Sequence, residues 1–259
     1  MCIIFSGQHE HHKNVLDVIV YSYILAVKPD KIPSFGIAAT MILAVLLQRI
    51  IKTQIDMGLL KSFFTNCANP KGWMGRMMLR FMNFGHAPVT NWGLDLLSFQ
   101  DGWTMLDIGC GGGATLKRLI KKSANATVYG IDISEESVAK ARKVNADLLD
   151  KQVFVCQGSA EKLPYEDGKF DLVTAVETVY FWPNLPDCLQ EVRRVLKKGG
   201  RFAILVEVVE GDSIWTRVVE GMTAYSPEQL KKLLDDAGFV DTEIHRKKPS
   251  YAAILGVKP

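Results

Sequence analysis

LDIGCGGG, residues 106–113, runs from an apolar segment into four glycines within five positions. Glycine takes left-handed backbone angles and lets another group come close to the main chain, so the loop is a candidate ligand cradle. Working outward, WTMLDI (103–108) reads as a buried strand and ATLKRLIKK (114–122) as the helix after it. TVYGIDI (127–133) is a second strand. SEESVAKARKVNADLLD (134–150) is a helix capped by Ser134, with Glu135 and Glu136 in its first turn. VFVCQG (153–158) and FDLVTAVE (170–177) are further strands. LPDCLQEVRRVLKKGG (185–200) is a helix expected to stop at Gly199 and Gly200. RFAILVEVV (201–209) is a fifth strand, and SPEQLKKLLDDAGF (226–239) a helix with Ser226 as cap, Pro227 in its first turn and Gly238 as stop. Two last strands, around residues 240–245 and 251–257, are expected to pair as a hairpin. Such alternation predicts an α/β fold with a doubly wound, mainly parallel sheet.

The 31 basic and 28 acidic residues among 259 leave a net charge of +3. That balance argues against a nucleic-acid partner, which asks for a clustered basic face. Five cysteines, Cys2, Cys67, Cys110, Cys156 and Cys188, form no CxxC pair. A disulfide framework or zinc site is not expected, and a reducing, cytoplasmic compartment fits. The crowded histidines of HEHHK (9–13) lack the i, i+4 spacing of helical metal ligands, so no metal is expected.

Residues 1–65 differ in texture. VLDVIVYSYILAV (15–27) and FGIAATMILAVLLQRII (35–51) are apolar runs joined by KPDKIPS. The first is shorter than the roughly 20 residues a spanning helix needs, and the second is borderline. Membrane association through residues 15–51 and packing on the domain or on a second chain both fit. No small-x-small site follows Val27, which argues against a signal peptide. The expected division is a hydrophobic helical extension at 1–65 and an α/β domain at 66–259, with residues 66–100 as a helical cap over the pocket. Both monomer and homodimer suit this plan.

Gly109-x-Gly111-x-x-Ala114 satisfies a dinucleotide fingerprint, and Asp132 ends the second strand where an acid binds ribose hydroxyls. This pattern alone suits NAD or another adenosine cofactor. Asp107, at the tip of the first strand, separates the two. A carboxylate there opposes a pyrophosphate, because like charges repel strongly in a partly desolvated site. S-adenosyl-L-methionine has no phosphate. Its ammonium and sulfonium suit Asp107, and its carboxylate suits the N–H groups at the following helix start.

LDIGCGGG, GIDIS, GSAEKLPYEDGKFDLV and LKKGGRF, in this order, resemble the class I S-adenosylmethionine-dependent methyltransferases. The narrower likeness is to the type 11, ubiquinone-biosynthesis-like branch acting on small molecules, and it covers residues 66–259. The resemblance implies a seven-stranded, mostly parallel Rossmann-like sheet with an antiparallel C-terminal hairpin. It implies that Gly109 and Gly111 admit the methionine part, with Cys110 a small packing residue between them. Asp107 would neighbour the ammonium, Asp132 the ribose and Ile133 the adenine face. Ser159 and Ala160 would lie at the adenine edge. Relatives often carry aspartate at the Ser159 position, so the adenine amino contact passes to the Ala160 backbone or to Glu161. The non-catalytic alternative is a protein that binds S-adenosylmethionine and transfers nothing; an NAD-dependent oxidoreductase ranks lower because of Asp107.

Ligands of open α/β sheets bind beyond the carboxyl ends of the strands. There VETVYFWPNLPD (176–187) places Glu177, Tyr180 and Trp182 at the expected pocket mouth, with Glu177 and Tyr180 as catalytic candidates, Glu177 also as a cofactor-binding residue, and Phe181 as packing. Asn83, His86 and Trp92, from the segment before the domain, are expected to reach the site. His86 is a candidate general base because imidazole titrates near neutrality. The link from the fifth strand to SPEQL is short, with Trp215 and Met222 as a small lid, which points to a small-molecule acceptor. No NPPY-like tetrapeptide follows the fourth strand, against adenine or glutamine N-methylation.

Overall fold

A computed structural model of the chain describes residues 85–208, 219, 221–247 and 250–259. The extension at 1–65, the domain boundary, the membrane-association reading, Asn83 and Trp215 lie outside the described residues. Among the described residues, no helix is long and apolar enough to cross a membrane, and no group of histidine, cysteine and acidic side chains is placed to hold a metal.

The elements, in chain order, are α1 (Ala87–Asp95), β1 (Thr104–Ile108), α2 (Ala114–Lys122), β2 (Thr127–Asp132), α3 (Glu135–Val144), β3 (Val153–Gln157), β4 (Phe170–Val176), a 3-10 turn (Val179–Phe181), α4 (Leu185–Val195), β5 (Leu196–Glu207), α5 (Pro227–Asp236), β6 (Val240–Lys247) and β7 (Tyr251–Val257). The sheet has the order β3-β2-β1-β4-β5-β7-β6. Strands β1 to β5 are parallel, and β7 enters antiparallel between β5 and β6. The expected doubly wound fold with a C-terminal hairpin is therefore present. The chain reverses direction in the sheet between β1 and β4, the switch point where such sheets open a crevice.

Burial on both faces explains why the strands read as apolar runs rather than alternations. Leu106, Val173, Phe202 and Ile254 pack with Leu189 and Val192 of α4 and Leu230 and Leu234 of α5. Met105, Leu172, Leu205 and Ala253 pack on the other face with Leu94 of α1, Leu116 and Leu119 of α2 and Ala141 of α3.

Two helices are shorter than their sequences suggest. The helix expected to reach Gly199 ends at Val195, and residues 196–200 already belong to β5. Lys258 draws them out: Gly199 N donates to its carbonyl at 2.8 Å, and its Nζ donates to Leu196 O at 2.7 Å. The helix from Ser134 ends at Val144 because Asn145 turns inward, its Nδ2 donating to Ala141 O at 2.9 Å and Gly113 O at 3.1 Å. Both expected serine caps are made. Ser134 Oγ accepts from Ser137 N, and Ser226 forms a reciprocal capping box with Gln229, each contributing about 1 kcal/mol.

Candidate active site

The carboxyl ends of β1, β2, β4 and β5 gather most of the predicted residues at one edge. Asp107 is 1% exposed and lies directly opposite Thr174 on β4. Thr174 Oγ1 donates to Asp107 Oδ1 at 2.7 Å. Burial pushes the Asp107 carboxyl up to about 7; the Thr174 bond pulls it down, the nearby Asp132 charge pushes it up, and the Arg118 charge pulls it down. A carboxyl held this way gains most from a cation brought to it.

Asp132 closes β2 and joins two loops. Its Oδ2 accepts from Gly111 N at 2.8 Å and its Oδ1 from Ser134 N at 2.9 Å. Each carboxylate oxygen retains a further lone-pair direction for a hydroxyl. The next residue, Ile133, is 55% exposed, an isolated apolar side chain beside that acid. Cys110 is buried behind the loop, where desolvation raises its thiol well above the usual range; it packs and is not primed to react.

The glycines have specific reasons. Gly109, with φ +73°, has the place of its missing Cβ filled by Thr178: a Cβ there would overlap the Thr178 hydroxyl and stand 2.8 Å from Thr178 Cβ. A Cβ on Gly113 (φ +77°) would stand 2.8 Å from Ala141 Cα of α3. At these two positions a neighbouring part of the chain itself comes close, so packing within the protein already requires glycine there. Ala160 is buried in the core, while Ser159 and Glu161 bond each other, Ser159 Oγ accepting from Glu161 N at 3.3 Å.

Beyond β4, Glu177 adopts a left-handed φ of +55°. Its Oε2 accepts from Tyr180 Oη at 2.8 Å and its Oε1 from the Glu207 backbone N–H at the end of β5. Burial raises Glu177 to about 8 against the lowering effect of those two bonds. Tyr180 is buried, its phenol raised well above the usual range by burial and the Glu177 charge. Trp182, expected at the pocket mouth, is instead 9% exposed and stacks on Phe202 in the core, centroids 6.4 Å apart. The 3-10 turn reverses the chain there and carries the indole inward. Phe181 packs against the same core, as expected.

α1 runs alongside α2 in the same direction, since Arg118 Nε donates to Asn91 Oδ1 at 2.8 Å and Lys122 pairs with Asp95. The same offset brings His86, which precedes α1, level with the glycine loop. Burial lowers its imidazole to about 4, so it is neutral at pH 7 and a weak base. Trp92 packs on Tyr251 of β7, centroids 6.2 Å apart. Tyr251 pairs with Glu207 in the sheet, so Trp92 adjoins the β5 end of this edge, away from β1.

The sequence profile of the family described as "Methyltransferase domain" matches residues 99–243. The chain belongs to the class I S-adenosylmethionine-dependent methyltransferases. Methyltransferase GfsG of Streptomyces halstedii is 31% identical over 181 residues, 69% of this chain and 65% of that protein. The ubiquinone/menaquinone biosynthesis C-methyltransferase UbiE of Brucella abortus is 37% identical over 111 residues, 42% of this chain and 41% of its own length. The chain thus spans less than two thirds of either relative. Among solved structures, the methyltransferase in complex with the Haloferax volcanii Trm112 activator superposes with a TM-score of 0.63 at 23% identity, over 72% of this chain and 96% of that one. This likeness shows the fold.

Sequence reasoning missed three residues that build this edge of the methyltransferase domain, Thr174, Thr178 and Glu207, and a fourth, Arg194, beside the segment that enters β4. Thr174 and Thr178 look like ordinary strand-end residues; only pairing of β1 with β4 and the turn after β4 bring them to Asp107 and Gly109. Glu207 contributes its backbone N–H to Glu177. Arg194 holds the loop after β3: it donates to Tyr165 O at 2.7 Å and Leu163 O at 3.0 Å, and pairs with Glu191 and Asp167.

Proposed function

We propose that the protein transfers a methyl group from S-adenosylmethionine to a small-molecule acceptor. The observation that carries this reading is the buried Asp107 carboxyl at the tip of β1, held by one neutral donor and raised by desolvation. It favours a cationic ligand end and disfavours a pyrophosphate. S-adenosylmethionine supplies an activated methyl on a sulfonium, whose charge disappears on transfer. Asp107 binds the ammonium. Asp132 receives ribose hydroxyls on its remaining lone pairs while keeping the two loops together. Gly109 and Gly111 line the methionine side with their main chain, backed by Cys110, Ile133 covers adenine, and Ser159, the Ala160 backbone and Glu161 border the adenine edge.

Acceleration comes mainly from alignment of the acceptor with the methyl group and from exclusion of water. Where the acceptor must lose a proton, Glu177 is the better base than His86. A carboxyl near 8 is matched to neutral pH, whereas an imidazole near 4 is not. Tyr180 orients Glu177 through its phenolic O–H. His86 serves as a neutral hydrogen-bonding group at the same edge.

The free thiols at Cys110, Cys156 and Cys188 suit a reducing, cytoplasmic setting. The apolar runs at 15–51 suit a tether to a bilayer next to a lipid-like acceptor; recovery of the intact chain entirely in the soluble fraction of lysed cells refutes the tether. Titration calorimetry with S-adenosylhomocysteine and NAD tests the cofactor. Tight NAD binding without S-adenosylhomocysteine binding overturns the reading. Binding of S-adenosylhomocysteine with no label transferred to any extract-derived small molecule favours a non-catalytic binder.

A further inference from the structure

We propose that Thr178 is a specificity-determining residue of the cofactor site, whose hydroxyl contacts the amino-acid end of S-adenosylmethionine. The proposal rests on the cofactor reading above and extends it to a residue outside the glycine and acid motifs.

Three observations converge on this side chain. Thr178 fills the space left by the absent Cβ of Gly109, so its hydroxyl sits against the first glycine of the loop. Trp182 Nε1 donates to Thr178 Oγ1 at 3.3 Å. Trp182 is itself fixed, stacked on Phe202 within the core. The indole N–H therefore takes one lone pair of the hydroxyl and orients it. A hydroxyl has one O–H and two lone-pair directions. What remains is a proton and one lone pair, on an oxygen lying between the β1 loop and the turn after β4. Among the described residues, no hydrogen bond from the Thr178 hydroxyl to a protein acceptor is made. The backbone is held as firmly: Phe181 N donates to Thr178 O at 3.0 Å, and the preceding Glu177 N donates to Leu205 O at 2.9 Å.

A polar group placed so by a core tryptophan is preorganised for a polar ligand atom. On the cofactor reading above, Gly109 would adjoin the carboxylate and ammonium of the methionine part, while Asp132 and Ile133 would hold ribose and adenine. The proton serves the carboxylate and the lone pair serves the ammonium. Trp182 is then a positioning residue, acting through Thr178.

Calorimetry on the full chain tests this with three ligands: S-adenosylhomocysteine, its decarboxylated analogue, and methylthioadenosine, which lacks the amino-acid end. Thr178→Val should weaken S-adenosylhomocysteine about tenfold, the scale of one charge-assisted hydrogen bond, and leave methylthioadenosine unchanged. Thr178→Ser should retain wild-type affinity for all three. Trp182→Phe, which keeps the ring stack and removes the N–H, should give a smaller loss confined to ligands with the amino-acid end. A Thr178→Val loss that vanishes for the decarboxylated analogue assigns the contact to the carboxylate; one that persists assigns it to the ammonium. Equal weakening of S-adenosylhomocysteine and methylthioadenosine, or no weakening, overturns the proposal. Failure of the wild-type chain to bind S-adenosylhomocysteine at all overturns the cofactor reading itself.

Discussion

Replacing Thr174 by valine removes one hydroxyl from a fully buried position and keeps the shape of the side chain. Its hydroxyl is 2.7 Å from Asp107 Oδ1 and is the largest influence lowering that carboxyl against burial. A hydrogen bond to a charged group contributes about 1.5–3 kcal/mol. At 1.36 kcal/mol per pKa unit, its loss raises Asp107 from about 7 by roughly 1–2 units. At pH 7.5 the wild-type carboxyl is about three-quarters ionised, and the variant's roughly 3–25%. Affinity for S-adenosylhomocysteine should then fall about 3- to 25-fold at that pH. Proton release is a second readout. At pH 7, cofactor binding should expel about half a proton from the wild type and close to one from the variant. Calorimetry in two buffers of different ionisation enthalpy measures both quantities. Unchanged affinity together with an unchanged proton count refutes the assignment of Asp107 to the ammonium.

Three further outcomes follow from the same domain. Glu177→Gln should remove the acid limb of the rate profile near pH 8. Because the native state holds this proton while the unfolded chain releases it near 4.5, Glu177 contributes a decline in stability as pH rises from about 4.5 to about 8, added to that of Asp107, and the Glu177→Gln melting temperature should fall less steeply over that range. Gly109→Ala should destabilise the chain by about 1–3 kcal/mol and abolish S-adenosylhomocysteine binding, since it opposes a positive φ and collides with Thr178; a folded variant with wild-type affinity in calorimetry contradicts this. Arg194→Met should loosen the loop after β3, lowering the denaturant midpoint and weakening adenosine affinity, because two half-buried carbonyls and two acids lose their common donor. Fluorescence-monitored unfolding with and without adenosine reads both effects.

The order of elements, the doubly wound sheet, the loop at 106–113, the acid at Asp132 and the caps at Ser134 and Ser226 were all legible in the chain. Each depends on neighbours within a few residues, or on apolar runs that have no alternative to burial. Helix ends were less legible. Leu196 and Asn145 leave their helices because Lys258 and Gly113, distant in sequence, offer better partners. Tertiary structure alone decided that Trp182 turns inward, that Thr178 rather than empty space faces Gly109, and that Thr174 stands opposite Asp107. It also decided the protonation properties of the site. Local sequence supplies a carboxylate at residue 107 and another at residue 177; the surrounding desolvation that raises them to about 7 and about 8 exists only once β1, β4 and β5 lie side by side.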